Sequence, residues 1–182
     1  MRELALHLLD IAENSAAAQA TTIRIDINED LVKDRLTMKI EDNGKGMNEE
    51  MVRNVTDPFV TTRTTRKVGL GIPLLKEAAE ACNGSFTIKS KVGVGTTINV
   101  EFQRSHIDRM PLGDLATTFL NLLIAHPAIH FIIRYVVGDK EFFLDDEAIK
   151  SELEGVSLTE PIILNFLRNL FETGVTGIQP AA

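Results

Sequence analysis

The sequence has 182 residues, of which 44% are hydrophobic and 25% are charged, a composition typical of a soluble globular protein. Its formal net charge of −7 argues against general nucleic-acid binding, because nucleic-acid-binding proteins usually carry a basic excess. The only cysteine, Cys82, excludes a disulfide within the chain. The longest apolar-rich stretch is interrupted by polar side chains and a proline, so we expect a cytoplasmic protein without a membrane span.

The first 104 residues predict helices and strands that pack in two layers. Residues 3–18 carry apolar side chains at helical spacing and predict an amphipathic helix. Alternating apolar and polar residues predict strands in TTIRIDI and RLTMKIED, and GSFTIKSKVGVGTTINVEF predicts a hairpin that turns at residues 93–95. We therefore expect an α+β sandwich in which helices cover one mixed or antiparallel sheet.

The first of three polar clusters in this region is DIAENS, within the predicted first helix. Asp10 and Asn14 lie four residues apart, so both side chains project from one helix face and could contact one ligand. The alternative is an exposed polar stripe.

The second cluster, EDNGKGM, lies between a predicted strand and a predicted helix. Gly44 and Gly46 would let the backbone approach a ligand closely or adopt positive φ, and Asp42 could accept a hydrogen bond from an exocyclic amine. The alternative is an ordinary turn.

The third cluster, DPFVTTRTTRKVGLG, places threonines and basic residues before Gly69 and Gly71 at the start of a predicted helix. Backbone N–H groups at a helix N-terminus bind anions, and nearby cations strengthen such a site. The alternative is a basic surface loop.

Taken together and in this order, the clusters resemble the ATP-binding domain shared by histidine kinases, gyrase, Hsp90 and MutL, called the GHKL or Bergerat fold. ENSAAAQATTIRIDI resembles its N-box, EDNGKGM its first glycine box, and DPFVTTR its phenylalanine box and lid entry. The family's second glycine box and closing hairpin are matched in this chain by VGLGIPLLKEAAEACNGSFTIKSKVGVGTTINVEF. The resemblance covers about 104 of the 182 residues and implies a two-layer sandwich with a mixed sheet.

The resemblance also implies how the purine of ATP would be bound. Asp42 would accept the 6-amino hydrogen of adenine, and Thr96 would reach the base through a water molecule. Gly44 and Gly46 would leave room for the purine, and Met47 would lie along its face.

For the phosphates, the resemblance implies Mg²⁺ bound by Asn14 and backbone N–H groups from Gly69, Leu70 and Gly71. The lid, which would become ordered on the γ-phosphate, would include Thr61, Thr62 and Arg63.

Family members that hydrolyse ATP have a Glu four residues before the magnesium-binding Asn, whereas this chain has Asp10 there. As the catalytic residue, Asp10 would be one methylene too short to align the attacking water well, so we expect slow turnover.

By resemblance, the chain is expected to be a stand-alone ATP-dependent protein kinase or ATPase in signalling or regulation. The kinase could be histidine-kinase-like or similar to anti-sigma serine kinases, with its phosphoacceptor on another protein. The alternative is a nucleotide-gated binding module, in which ATP orders the lid and controls partner binding with little turnover. A homodimer is possible in either case.

No family resemblance applies to the rest of the chain. Residues 105–174 predict a small α/β unit with a helix, a hairpin and further helices, the last ending at Gly174. Its apolar density suggests a docking or regulatory unit that packs on the ATP-binding domain, on a partner or on a second copy. Residues 175–182 predict a disordered tail.

Overall fold

The computed structural model describes residues 3–57, 59 and 70–180. The helices are α1 (Leu4–Ala17), α2 (Glu49–Thr56), α3 (Gly71–Ala81), α4 (Leu115–Ala125), α5 (Asp146–Glu152) and α6 (Pro161–Thr176). The strands are β1 (Thr22–Asp30), β2 (Arg35–Asp42), β3 (Ser85–Lys91), β4 (Gly95–Gln103), β5 (His130–Val137) and β6 (Lys140–Asp145). The predicted first helix, the first two strands and the β3–β4 hairpin are all present in this order.

The strands form one sheet in the order β3-β4-β2-β1-β5-β6. β1 pairs with β5 in parallel, and the other neighbours are antiparallel, so the sheet is mixed. Ile23, Ile25 and Ile27 of β1 are buried in the core, whereas the residues between them lie on the opposite face of the strand. Leu4 and Leu8 of α1 are buried in the same core. The predicted α+β fold with a mixed sheet is confirmed.

Residues 105–174, predicted as a small α/β unit, contribute β5 and β6 to this sheet. Thr22 at the start of β1 pairs with His130 at the start of β5, so the β5–β6 hairpin extends the sheet beyond β1. At the other end of β1, buried Glu29 accepts hydrogen bonds from Tyr135 Oη at 2.6 Å and Arg104 Nε at 2.7 Å. Burial and the Glu29 carboxylate raise the pKa of Tyr135 above its usual value, so Tyr135 stays a donor.

The last helix is longer than the sequence predicts. α6 passes through Gly174 and ends at Thr176, within the segment predicted as a disordered tail. Val175 and Ile178 are buried in the same core as Phe171, and burying these two apolar side chains favours an ordered chain at this point. No helix in the described part of the chain has both the length and the hydropathy needed to cross a membrane.

Candidate functional site

Asp42 is the last residue of β2, and hydrogen bonds fix its carboxylate from two sides. Oδ1 accepts from the N–H of Gly44 at 2.8 Å, and Oδ2 accepts from Ser15 Oγ of α1 at 2.7 Å. A carboxylate offers about four lone-pair sites, so an oriented Asp42 can still accept from a ligand. The role of Ser15 was not predicted, although a hydroxyl on an otherwise apolar helix face needs a partner.

Glycines allow the loop after β2 to pass close to its neighbours. At Gly46, where φ is +66°, a Cβ would lie 2.0 Å from the carbonyl oxygen of Lys91. At Gly44, a Cβ would lie 2.8 Å from the carbonyl oxygen of Ala18. Both glycines are therefore required by the approach of other backbone, and the room they would leave for a purine stays a prediction.

Ser90 of β3 connects the loop to Thr96, which stands opposite Asp42 on β4. Its Oγ accepts from the N–H of Met47 at 2.8 Å, donates to the carbonyl of Gly95 at 3.0 Å, and lies 2.8 Å from Thr96 Oγ1. Because Ser90 has one hydroxyl hydrogen, Thr96 must donate to Ser90 when Ser90 donates to Gly95. Thr96 then keeps acceptor lone pairs for a ligand or water. Ser90 was not predicted from the sequence.

Asp10 of α1 lies against the beginning of α3. A Cβ added to Gly71 would be 1.7 Å from Asp10 Oδ2, so the carboxylate fills the space that the missing side chain leaves. Leu70, the N-cap residue, is 51% exposed and provides no side-chain cap. The Asp10 carboxylate therefore lies at the positive end of the α3 helix dipole.

The site therefore has two polar ends along α1. Ser15 and Asp42 form one end, and Asp10 and Gly71 form the other, with exposed Asn14 between them in the helix sequence. A separation of five residues along a helix corresponds to about 7.5 Å. The predicted residues Thr61, Thr62, Arg63 and Gly69 lie outside the described residues.

Residues 1–106 match the family described as histidine kinase-, DNA gyrase B- and HSP90-like ATPase. This match includes more than half of the chain, and the chain belongs to this family. The resemblance inferred from the sequence is confirmed.

Two bacterial sensor kinases show the similarity in sequence. The chain is 32% identical over 76 residues to the sensor histidine kinase YvrG of Bacillus subtilis, which is 40% of this chain and 13% of that protein. It is 26% identical over 108 residues to a putative sensor histidine kinase, NtrY-like, of Rickettsia conorii, which is 59% of this chain and 18% of that protein. The aligned parts thus span less than a fifth of either relative.

The MutL ATPase domain of Aquifex aeolicus, solved in complex with ADP, has a similar fold. The TM-score is 0.55 at 15% sequence identity, and the likeness covers 95% of this chain and 70% of that chain. The similarity in fold therefore extends past residue 106 into the region that contains β5 and β6.

Proposed function

We propose that the chain binds Mg-ATP and acts as an ATP-dependent protein kinase or ATPase in signalling or regulation. The observation that carries this proposal is the Asp42 carboxylate, held by Ser15 and Gly44 at the end of β2. Membership of the ATPase family supports it.

Asp42 explains a preference for adenine. The exocyclic 6-amino group of adenine donates hydrogen bonds, whereas the corresponding group of guanine is a carbonyl that only accepts. A carboxylate held as an acceptor therefore favours adenine and opposes guanine. Ser15 and Gly44 keep it in place before any ligand arrives, which reduces the entropy lost on binding.

The other end of the site suits the phosphates and their metal ion. The N-terminus of α3 provides a positive partial charge, and Leu70 leaves it without a side-chain cap. Asn14 and Asp10 carry oxygen donors, which Mg²⁺ prefers. Asn14 would hold the ion, and the bound ion would neutralise charge on the phosphates. Gly71 has only a hydrogen atom in place of a side chain, so no Cβ obstructs the first turn of α3.

Asp10 would act as the general base for water or for a hydroxyl or imidazole of the phosphoacceptor on another chain. Its half-buried carboxylate lies against Gly71, beside the turn where the phosphates would bind, and this position supports the role of a base. The shorter side chain of Asp10 also supports a second candidate, a nucleotide-gated binding module with little turnover. Asp10→Asn distinguishes them, because turnover and signalling should be lost under the first and ATP-dependent partner binding retained under the second.

Calorimetry with Mg-ATP and Mg-GTP tests the nucleotide proposal. In Asp42→Asn, the side-chain oxygen can still accept from Gly44 and the amide can donate to Ser15, so the fold should persist. The lost acceptor should weaken ATP binding by about 1 to 3 kcal/mol. The matched control is Asp26→Asn on β1, where the side chain lies on the opposite face of the sheet. Equal ATP and GTP affinities in the parent, or parental ATP affinity in Asp42→Asn, would refute the assignment.

A further inference from the structure

Ser90 of β3 joins three groups beside Asp42, and the proposed function assigns it no part. Its Oγ accepts from the N–H of Met47 at 2.8 Å, donates to the carbonyl oxygen of Gly95 at 3.0 Å, and lies 2.8 Å from Oγ1 of Thr96. A serine hydroxyl has one hydrogen and two lone pairs, so it can make three hydrogen bonds. These three neighbours therefore use its full capacity.

The direction of the hydrogen bond between Ser90 and Thr96 follows from this count. When Ser90 donates to Gly95, Thr96 donates to Ser90, and all three bonds form. When Ser90 donates to Thr96 instead, its bond to Gly95 is lost and one of its lone pairs has no donor. The first arrangement has one more hydrogen bond, which favours it by roughly two- to tenfold. Thr96 thus uses its only hydrogen on Ser90 and presents an acceptor to a ligand.

Thr96 of β4 and Asp42 of β2 stand directly opposite each other, so both side chains lie on one face of the sheet. An adenine whose 6-amino group binds Asp42 brings a ring nitrogen near Thr96, because N1 and N7 flank that amino group. Both ring nitrogens are acceptors, as is the Thr96 hydroxyl toward the ligand. Two acceptors cannot bond to each other, but one water molecule can donate a hydrogen to each.

We propose that Ser90 is a positioning residue for the base, because it makes Thr96 an acceptor and thereby orients a water molecule that donates to the ring nitrogen beside the 6-amino group. This inference rests on the proposed function, since it assumes that Asp42 binds adenine. It assigns Ser90 no contact with the nucleotide. Recognition of the ring nitrogen adds a feature of the base that the Asp42 carboxylate alone does not distinguish.

Calorimetry with the magnesium salts of ATP, 1-deaza-ATP and 7-deaza-ATP tests the inference. Each analogue keeps the 6-amino group and has C–H in place of one ring nitrogen, N1 or N7. The parent should bind one of the two analogues about tenfold more weakly than ATP, because the water loses its acceptor. In Ser90→Ala, the Thr96 hydroxyl is free to rotate and the water loses its fixed orientation. The ratio of the ATP and analogue affinities should then fall from about ten to near one.

This affinity ratio separates positioning of the water from a merely structural role of Ser90. Loss of the bonds to Met47 and Gly95 would by itself weaken the binding of ATP and of the analogue equally, and the ratio would not change. Ser90→Thr keeps the hydroxyl and should keep the parental ratio. The matched control is Ser85→Ala at the start of the same strand, where the side chain is exposed, and both affinities should stay parental.

The outcomes distinguish this inference from the proposed function. Equal affinities of the parent for ATP and both analogues, or a parental ratio in folded Ser90→Ala, would overturn the role of Ser90 alone. If Ser90→Ala does not fold, the same ratio in Ser90→Cys decides, because a thiol is only a weak donor and acceptor. Failure of the parent to bind Mg-ATP would overturn the proposed function together with this inference.

Discussion

Replacing Gly71 by alanine should separate ATP binding from turnover. The new Cβ would lie 1.7 Å from Asp10 Oδ2, whereas an ordinary C···O contact is about 3.3 Å. The carboxylate must therefore move by about 1.6 Å. The φ angle of Gly71 is not positive, and alanine is the better helix former, so the fold should tolerate the change. A misplacement of about 1 Å can cost 10²-fold in rate, so hydrolysis should fall by about 10²-fold or more.

A double-mutant cycle shows whether this loss comes from the displaced carboxylate. Single-turnover hydrolysis would be measured for the parent, Gly71→Ala, Asp10→Ala and the combined variant, with Mg-ATP affinity measured by calorimetry. Asp10→Ala alone should lower the rate by roughly 10² to 10⁴. In that background, Gly71→Ala should have no further effect, because no carboxylate remains to be displaced. Fully additive losses, or a parental rate in Gly71→Ala, would refute the reasoning.

Three further predictions concern binding and stability. Gly46→Ala and Gly93→Ala both place alanine at positive φ, at +66° and +77°, but only Gly46 would also collide with backbone. Thermal denaturation should show Gly46→Ala to be less stable than Gly93→Ala by at least about 1 kcal/mol. Equal losses of stability in the two variants would contradict this expectation. Ser15→Ala removes a donor to Asp42 and should weaken Mg-ATP binding by about tenfold in calorimetry; parental affinity would mean that Ser15 does not orient the carboxylate. Because burial holds the pKa of His7 below 6.5, the unfolded chain takes up this proton first as the pH falls. Urea denaturation should therefore show that the free energy of unfolding declines below pH 6.5, and that it declines less steeply in His7→Leu. Equal slopes against pH in the parent and in His7→Leu would contradict the lowered pKa of His7.

Sequence patterns predict the first part of the fold because its signals are local. RLTMKIED alternates along its whole length and forms β2, and the glycines at 93 and 95 mark the turn between β3 and β4. The polar clusters around Asp10 and Asp42 could be found because their chemistry departs from the surrounding apolar pattern. Their order along the chain was sufficient to identify the family.

Contacts between distant residues could not be predicted in the same way. The bond from Ser15 to Asp42 joins a helix to a strand, and nothing near either residue shows that they meet. The parallel pairing of β1 with β5 joins residue 22 to residue 130, and the alternation of β5 predicts a strand without naming its neighbour. α6 extends through Gly174 because burial of Val175 outweighs the weak helix propensity of glycine.

Because of the strand order, the ribosome completes the strands of the candidate site before it completes β5. Asp10, Asp42 and Thr96 all precede the end of β4 at Gln103. In contrast, β5, which pairs with the second side of β1, is complete only at Val137. Roughly 34 residues separate these points, which at 5–20 residues per second is a delay of about 2 to 7 s. During this interval the nascent sheet can contain every strand that contributes to the site while one side of β1 is still unpaired. The chain therefore emerges with its candidate ligand-binding residues first and later with β5, the strand that covers this edge of β1.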